Sequence, residues 1–198
     1  MKTAVIGAGN VGRAIGTGLE RTGNDVVFGV RDPADDRHAG LAVAERSDAV
    51  GGAELVVLAV PATAVADVLP ELGLRAGQIL VDATNAVGGP VPGGHPTMAD
   101  LVSSLLPDGV QLVKAFNTVG FEHMATGSLD GARVFLPVAG DEPAAATVQQ
   151  LTDAIGFESV VVGGRDHFAM LEAHAQLWIR LAFGVGWGRG FAFTSIGR

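Results

Sequence analysis

Short hydrophobic segments alternate with helix-like segments along most of the chain. A short apolar run closed by glycine, proline or a polar residue is typical of a strand in a parallel sheet that is covered on both faces. Such runs lie at residues 3–6, 26–28, 41–44, 54–60, 78–83, 110–115, 134–138 and 159–162. The pattern therefore predicts a series of short buried strands.

Between these runs, apolar residues recur every three or four positions, which is the spacing of one helix face. In the first such segment Val11, Ile15 and Leu19 share a face, and Gly23 ends the pattern. Further helices are predicted near residues 46–50, 63–72, 97–106, 142–155 and 166–183. Alternating strands and helices predict an α/β fold of the Rossmann type, with a doubly wound, mainly parallel sheet and a short C-terminal helical extension.

The pattern changes after the last predicted strand. Residues 166–183 have helical spacing, and residues 184–198 are rich in glycine and phenylalanine without clear periodicity. We therefore expect a Rossmann domain over residues 1–162 and a small C-terminal helical segment over residues 163–198.

Composition excludes several classes of protein. The 198 residues include no cysteine, so a disulfide scaffold, a thiolate nucleophile and a cysteine-ligated metal site are excluded. The net charge of −8 argues against a nucleic-acid partner. No apolar run approaches the roughly 20 residues that span a bilayer. Because a strand is predicted from residue 3, we expect no signal peptide, no membrane association and a cytoplasmic location.

A glycine-rich loop follows the first predicted strand and opens the first helix. Its sequence is Gly7-Ala8-Gly9-Asn10-Val11-Gly12, the spacing GxGxxG in the context that supports dinucleotide binding. Gly7 allows a tight turn, Gly9 has no Cβ to block a pyrophosphate, and Gly12 lets helix and strand approach closely. The helix N-terminus offers N–H groups to the phosphates. The alternative is a tight strand-to-helix turn that binds no ligand.

The residue that follows the second strand indicates which dinucleotide is bound. An NAD site uses a carboxylate for the ribose 2′-hydroxyl, whereas an NADP site uses arginine for the 2′-phosphate. Arg31 lies 19 residues after Gly12, and Asp32 is expected to cap a truncated helix that starts at Pro33. We therefore predict that Arg31 binds the 2′-phosphate of NADP(H).

Two further interpretations concern the same segment. Arg37 is a candidate second contact to the 2′-phosphate. The alternative for Arg31 is a surface side chain that pairs with Asp35 or Asp36.

Small and amide side chains follow three other strands. The carboxyl ends of parallel strands meet at one edge of the sheet, where we expect the nicotinamide half of the cofactor. The residues predicted to contact it are Val60, Pro61, Ala62, Asn85, Asn117 and Thr118. Either asparagine could instead satisfy loop backbone groups.

The sequence offers no clear acid–base catalyst. His167 and His174 share a helix face without a carboxylate-rich partner set, which indicates packing rather than a metal site, and Lys114 lies within a predicted strand. Hydride transfer between two bound rings needs alignment and exclusion of water rather than a side-chain proton donor. We therefore predict no catalytic side chain and no metal ligand.

Several motifs together carry a family resemblance over nearly the whole chain. They are AVIGAGNVG, VVFGVRDP, LVVLAVP, ILVDATN, LVKAFNTVG, VAGDEPAAATVQQLTDAIGF and LEAHAQLWIRLAF. The sequence resembles the NADPH-dependent coenzyme F420 reductases, also called F420H2:NADP oxidoreductases. The resemblance implies hydride exchange between C4 of NADP(H) and C5 of the deazaflavin F420. It also implies a homodimer in which the C-terminal part shapes the F420 pocket.

The resemblance also implies roles for individual residues. The pyrophosphate would be held by Gly7, Gly9, Asn10 and Val11, and the 2′-phosphate by Arg31. The site where nicotinamide and deazaflavin stack would be lined by Pro61, Asn117 and Thr118.

The C-terminal segment carries the remaining signals. It has four arginines (Arg165, Arg180, Arg189 and Arg198) against Asp166 and Glu172, which suits an anionic partner such as F420. Its aromatic residues either cover a flat ring or form a dimer core: Trp178, Phe183, Trp187, Phe191 and Phe193. Two alternative functions stay open, an NADPH-dependent reductase of a flavin, metal or small imine or ketone, and a non-catalytic NADP(H)-sensing protein.

Overall fold

The computed structural model describes residues 1–196 and places an eight-stranded sheet between two layers of helices. The strands are β1 Lys2–Ile6, β2 Asp25–Val30, β3 Val43–Glu45, β4 Leu55–Leu58, β5 Ile79–Asp82, β6 Gln111–Lys114, β7 Ser128–Leu129, β8 Ala132–Arg133, β9 Phe135–Gly140 and β10 Glu158–Gly163. The helices are α1 Asn10–Arg21, α2 Arg46–Gly51, α3 Val65–Glu71, α4 Met98–Leu105, α5 Phe121–Met124, α6 Ala144–Ile155 and α7 Phe168–Ile179.

The order of the strands identifies where a ligand binds. The main sheet runs β10-β9-β6-β5-β4-β1-β2-β3, and every neighbouring pair is parallel except β6 and β9. The chain moves outward in one direction from β1 to β3 and then in the other from β4 to β6. The switch point therefore lies between β1 and β4, where open α/β sheets bind their ligands. This confirms the predicted Rossmann-type fold.

Hydrophobic residues pack on both faces of the sheet. Val5 and Val57 point into one core layer, and Ala4 and Val56 into the other. Helix α1 can lie close to β2 because Gly16 faces the ring of Phe28, and a Cβ at Gly16 would overlap that ring. Burial of a phenylalanine side chain contributes about 1.5–3 kcal/mol, so this close approach stabilises the site of the glycine loop.

The segment after β2 differs from the prediction. Asp32 does not cap a helix that starts at Pro33; its Oδ1 instead accepts a hydrogen bond from the N–H of Ala34 at 3.0 Å. A single 3₁₀ turn, Asp36–His38, follows and is capped by Asp35. The expected truncated helix was wrong because a short polar side chain can satisfy the backbone of a local turn as well as that of a helix.

Two features of the sheet were not predicted. The small hairpin of β7 and β8 lies outside the main sheet, and β9 runs antiparallel to β6. The strand expected at residues 41–44 is β3, Val43–Glu45.

The C-terminal part packs on the rest of its own chain. Phe168 and Leu171 of α7 belong to the core layer that also contains Leu80 and Leu112, and a π-helical turn, Arg180–Gly184, extends α7. The following residues fold back, and the N–H of Phe135 donates to the carbonyl of Phe193 at 2.9 Å. Arg198 lies outside the described residues, and the division of the chain at residue 162 stays a prediction.

Candidate functional site

Two cavities open at the carboxyl ends of the strands, on either side of the glycine loop. The ring cavity, lined by Pro61, Asn117, Trp178 and their neighbours, has a volume of about 440 Å³. The arginine cavity, lined by Arg13, Arg31, Arg37, Arg46 and their neighbours, has a volume of about 470 Å³. Gly9 lines both cavities, so an extended ligand that crosses the loop can reach both.

The glycine loop has the geometry that its spacing predicts. Gly7 has a φ of +106°, and a Cβ there would lie 2.6 Å from the carbonyl oxygen of Ala59. A Cβ at Gly12 would overlap the carbonyl oxygen of Gly7, so only glycine lets α1 approach the loop. At Gly9, by contrast, no heavy atom of the described residues lies within 4 Å of such a Cβ. The space over Gly9 is therefore open, and it lies beside the N-terminus of α1, where backbone N–H groups favour an anion.

Arg31 stands at the rim of the arginine cavity. It is exposed, and it forms no ion pair within residues 1–196, because Asp35 pairs with Arg37 at 2.6 Å. The pairing of Arg31 with Asp35 or Asp36, which the sequence left open, is not observed in the described structure. Hydrogen bonds from Arg37 hold the pKa of the Asp35 carboxyl well below its ordinary value. Arg31 thus keeps its donors available for an anionic ligand.

Sequence reasoning missed two further arginines of this cavity. Arg13 donates from Nε to the carbonyl oxygen of Ala8 at 2.8 Å and from Nη2 to that of Arg37, so it ties the glycine loop to the opposite wall. Its position directly after Gly12 was an available signal. Arg46 is the first residue of α2 and reaches the cavity only because β3 returns the chain beside Gly29. No local sequence pattern predicts that Arg46 lines this cavity.

One wall of the ring cavity gathers most of the other predicted residues. They are Gly9, Asn10, Val11, Val60, Pro61, Ala62, Asn85 and Asn117. Gly7 and Arg31 line the arginine cavity instead, and Gly12 is enclosed behind the loop. Thr118 is 3% exposed and is not brought to the surface of either cavity. The chain turns inward there after Phe116, which has a left-handed φ of 64°.

The two asparagines connect the ends of β5 and β6 to helix α7. Asn85 Nδ2 donates to the carbonyl oxygen of Asn117 at 2.6 Å, and Asn117 Nδ2 donates to that of Leu171 at 3.2 Å. Both amides therefore donate to backbone carbonyls of a loop or a helix, which is the alternative role that the sequence left open for them. Asn117 Oδ1, however, is buried without a hydrogen-bond partner among the described residues. Buried acceptors without a partner are uncommon, so this amide oxygen is a candidate acceptor for a ligand N–H.

The opposite wall of the ring cavity is aromatic. Trp178 stacks on Phe191 at 5.4 Å between ring centroids and meets Phe183 edge-on at 6.3 Å. The Arg189 guanidinium lies 4.4 Å from the ring centroid of Phe121. These rings form one side of a space that remains open, so the aromatic tail does not fill the cavity.

Arg189 is the single ionisable residue among the described residues that line the ring cavity, and its charge is compensated. Its Nε and Nη2 pair with Glu122 at 2.6 and 3.2 Å. Burial is the largest single effect and raises the pKa of Glu122. The hydrogen bond and charge of Arg189, a backbone hydrogen bond and the charge of His123 together outweigh burial, so the pKa is lowered overall. The cavity therefore presents planar apolar surfaces with one partly neutralised cation.

The described histidines and carboxylates form no group of three or more that could hold a metal ion. His174 is remote from the glycine loop in sequence and packs between the rings of Phe135 and Phe193. Within residues 1–196, no helix is both long and apolar enough to cross a bilayer.

Comparison with known proteins agrees with this geometry. Residues 2–86 match the family model described as NADP oxidoreductase, coenzyme F420-dependent. A structure from Arthrobacter sp. FB24, provisionally named an F420-dependent NADP reductase, is 29% identical and covers 100% of both chains with a TM-score of 0.82. The hypothetical protein SMa0349 of Sinorhizobium meliloti is 31% identical over 84% of this chain and 86% of its own, with a TM-score of 0.71.

A curated relative extends the comparison. The metalloreductase STEAP3 of Rattus norvegicus is 31% identical over 168 residues, which are 82% of this chain. The chain spans only 34% of that protein's length. The glycine loop, the match over residues 2–86 and the two structural relatives agree: residues 2–86 carry the dinucleotide-binding region of the coenzyme F420-dependent NADP oxidoreductase family, and the protein is an NADP-dependent oxidoreductase.

Proposed function

We propose that the protein transfers a hydride between NADP(H) and a deazaflavin such as coenzyme F420, with the two rings stacked in the ring cavity. The observation that carries the proposal is the form of this cavity. A space of about 440 Å³ remains open between the strand ends and an aromatic wall, and Gly9 of the glycine loop lies at its margin. A flat second ring suits such a space.

The adenosine end of NADP(H) is assigned to the arginine cavity. The unpaired guanidinium of Arg31 is the proposed donor to the 2′-phosphate, with Arg46 and Arg37 on the same cavity wall. Arg13 holds that wall to the glycine loop. Charge-assisted hydrogen bonds of this kind are worth about twice as much as neutral ones.

The nicotinamide end is assigned to the strand-end wall of the ring cavity. Asn117 Oδ1 is the proposed acceptor for the carboxamide N–H, because it is buried and unpaired in the described structure. Val60 and Ala62 supply small apolar surfaces beside it, which exclude water from the ring face.

The second ring is assigned to the opposite wall, against Trp178 and Phe183. Arg189 is the proposed contact for an anionic group of the deazaflavin cofactor, with Glu122 limiting its positive charge.

Catalysis in this proposal comes from alignment alone. When both are bound, NADPH supplies a hydride from C4, and the deazaflavin accepts it at C5. None of the described side chains that line the cavity is an aspartate, glutamate, histidine, lysine or tyrosine. The residues therefore orient the two rings and exclude water, and effects of this kind can lower a barrier by roughly 7–11 kcal/mol.

A second copy of the chain is part of the proposal. Large hydrophobic side chains stay exposed on α7 and after it: Met170, Leu177, Phe183, Val185 and Trp187. We expect a homodimer to cover this surface, since contiguous exposed apolar patches usually mark an interface.

An alternative acceptor follows from the similarity to a metalloreductase. In this alternative NADPH reduces a flavin, or a metal through a flavin, in the same cavity. Reduction of an imine or ketone fits less well, because it requires a proton donor that the described cavity wall does not contain.

The test uses NADPH carrying deuterium at C4. Incubation with oxidised F420 should lower the absorbance of both reactants, and the deuterium should be recovered at C5 of the deazaflavin, where carbon-bound hydrogen does not exchange with water. Flavin mononucleotide and a ferric chelate are run in parallel. Reduction of the flavin with no reduction of F420 would contradict the deazaflavin assignment in favour of the alternative.

A further inference from the structure

Lys114, at the end of β6, is fully buried and lies at the centre of a charged cluster outside both cavities. Its Nζ donates to Asp82 Oδ2 at 2.7 Å and to the carbonyl oxygen of Thr84 at 3.2 Å. It also pairs with Glu172 Oε1 of α7 at 3.0 Å. One ammonium group therefore joins two strand ends to the C-terminal helix.

The two carboxylates of the cluster are satisfied on their other sides. Asp82 Oδ1 accepts hydrogen bonds from the N–H and the hydroxyl of Thr84, at 2.8 and 2.6 Å. Glu172 accepts hydrogen bonds from the N–H groups of Met98 and Ala99, at 3.0 and 2.9 Å. The first turn of α4 is thus held to the same point, and every carboxylate oxygen has a partner.

The cluster lies directly behind the residues that line the ring cavity. Thr84 is followed by Asn85, and Leu171, which accepts the hydrogen bond from Asn117, precedes Glu172. Trp178 lies six residues after Glu172, on the same helix. The position of α7 relative to β5 and β6 therefore sets the distance between the aromatic wall and the strand-end wall.

We infer that Lys114 is a positioning residue, which through Asp82 and Glu172 fixes the separation of the two walls between which the two rings stack. The inference rests on the proposed function only in its choice of acceptor. Without the ammonium group, the buried carboxylate of Asp82 and the partly buried carboxylate of Glu172 repel each other, and α7 moves away from the sheet. Hydride transfer depends steeply on distance, so a displacement of about 1 Å is enough to slow it about 100-fold.

Loss of Lys114 should affect the binding of NADPH and the reaction with the acceptor differently. The glycine loop joins β1 to α1 and Arg31 follows β2, and the cluster touches none of these elements, so only the nicotinamide end of NADPH lies on the wall that the cluster positions. Loss of Lys114 should leave NADPH affinity within about 2-fold of the wild type while kcat falls and the KM for the acceptor rises, each by roughly 10-fold or more. A purely structural lysine would lower the amount of folded protein and leave the kinetic constants of that fraction unchanged.

The experiment uses Lys114→Met, which keeps the length of the side chain and removes its charge. Glu172→Gln is the milder second variant, since it keeps an acceptor for α4 and weakens the pairing with Lys114. Gln78→Met is the matched control. Gln78 is buried directly before β5, at the amino ends of the strands, and its Nε2 donates to the carbonyls of Val50 and Ala53. The measurements are Kd for NADPH, kcat and KM for the acceptor, and tryptophan emission.

Emission is measured in a Trp187→Phe background, so that Trp178, which is 6% exposed, is the only tryptophan. We expect Lys114→Met and Glu172→Gln to shift this emission to the red, whereas Gln78→Met leaves it unchanged. Unchanged emission and acceptor kinetics in folded Glu172→Gln would overturn the inference, as would an equal loss of NADPH affinity. A wild type that does not reduce the deazaflavin contradicts the proposed function alone, because the emission and the NADPH affinity require no acceptor.

Discussion

Arg37 pairs with Asp35 at 2.6 Å and thereby leaves Arg31, at the rim of the same cavity, without an acidic partner in the described structure. A carboxylate beside a phosphate site competes with the ligand for each guanidinium. Here Asp35 pairs with Arg37 and not with Arg31, so Arg31 should contribute more than Arg37 to recognition of the 2′-phosphate.

We expect Arg31→Ala to weaken NADPH binding about 10- to 100-fold, because one or two charge-assisted hydrogen bonds are worth roughly 1.5–3 kcal/mol. NADH binding should stay unchanged, since NADH has no 2′-phosphate. Titration of both dinucleotides measures the ratio. Arg21→Ala, at the far end of α1, is the control, and equal losses for NADPH and NADH in Arg31→Ala would refute the assignment.

Two glycines of the loop should respond differently to the same substitution. In Gly9→Ala the added methyl group meets no described atom within 4 Å beyond its chain neighbours. Gly9 is the N-cap of α1, where alanine costs up to about 1 kcal/mol, so Tm should fall by at most about 4 °C while NADPH affinity falls at least 10-fold. In Gly12→Ala the methyl group overlaps the carbonyl oxygen of Gly7, so stability should fall as well. Thermal melts with and without NADPH separate the two effects. Unchanged NADPH binding in Gly9→Ala would show that the pyrophosphate does not cross this residue.

The sequence predicted the fold, and it predicted that the residues after the strands lie together at one edge of the sheet, because both depend on local patterns. Hydrophobic runs of three to seven residues mark the buried strands, and the residues after them must meet at one edge of a parallel sheet. The wall formed by Trp178, Phe183 and Arg189 required tertiary information, since the periodicity of α7 does not show which face meets the glycine loop. Arg46 and the cluster around Lys114 were missed for the same reason: they join residues that are far apart in the chain.

The ion pair between Glu122 and Arg189 predicts an acid-sensitive contribution to stability. The folded-state pKa of Glu122 lies below its ordinary value of 4.5, so the contribution is fully present above pH 4.5 and is lost as the pH falls through the lower folded-state value. We expect Glu122→Gln to cost up to about 1 kcal/mol at pH 7, the usual range for a partly exposed pair. Urea unfolding at pH 7 and at pH 3 measures the difference, which should shrink at pH 3. A cost of the same size at both pH values would mean that the charge of Glu122 is not what stabilises the wall.

The packing of His174 predicts a second loss of stability on acidification, over a higher pH range than that of Glu122. Burial lowers the pKa of His174 below its ordinary value of 6.5, because the ring lies between Phe135 and Phe193. The unfolded chain therefore binds more protons at this residue than the folded chain does, and stability must rise with pH until it levels off above about pH 6.5. We expect Tm to fall between pH 7.5 and pH 5.5, and we expect His174→Gln to remove part of that fall.

The same protonation should loosen the C-terminal tail, since the aromatic contact between His174 and Phe193 helps to hold the tail against β9. Limited proteolysis provides the second measurement, with faster cleavage after Phe193 at pH 5.5 than at pH 7.5 in the wild type. In His174→Gln the cleavage rate should depend less on pH. A wild-type tail that is cleaved at equal rates at both pH values would show that protonation of His174 leaves the docking of the tail intact.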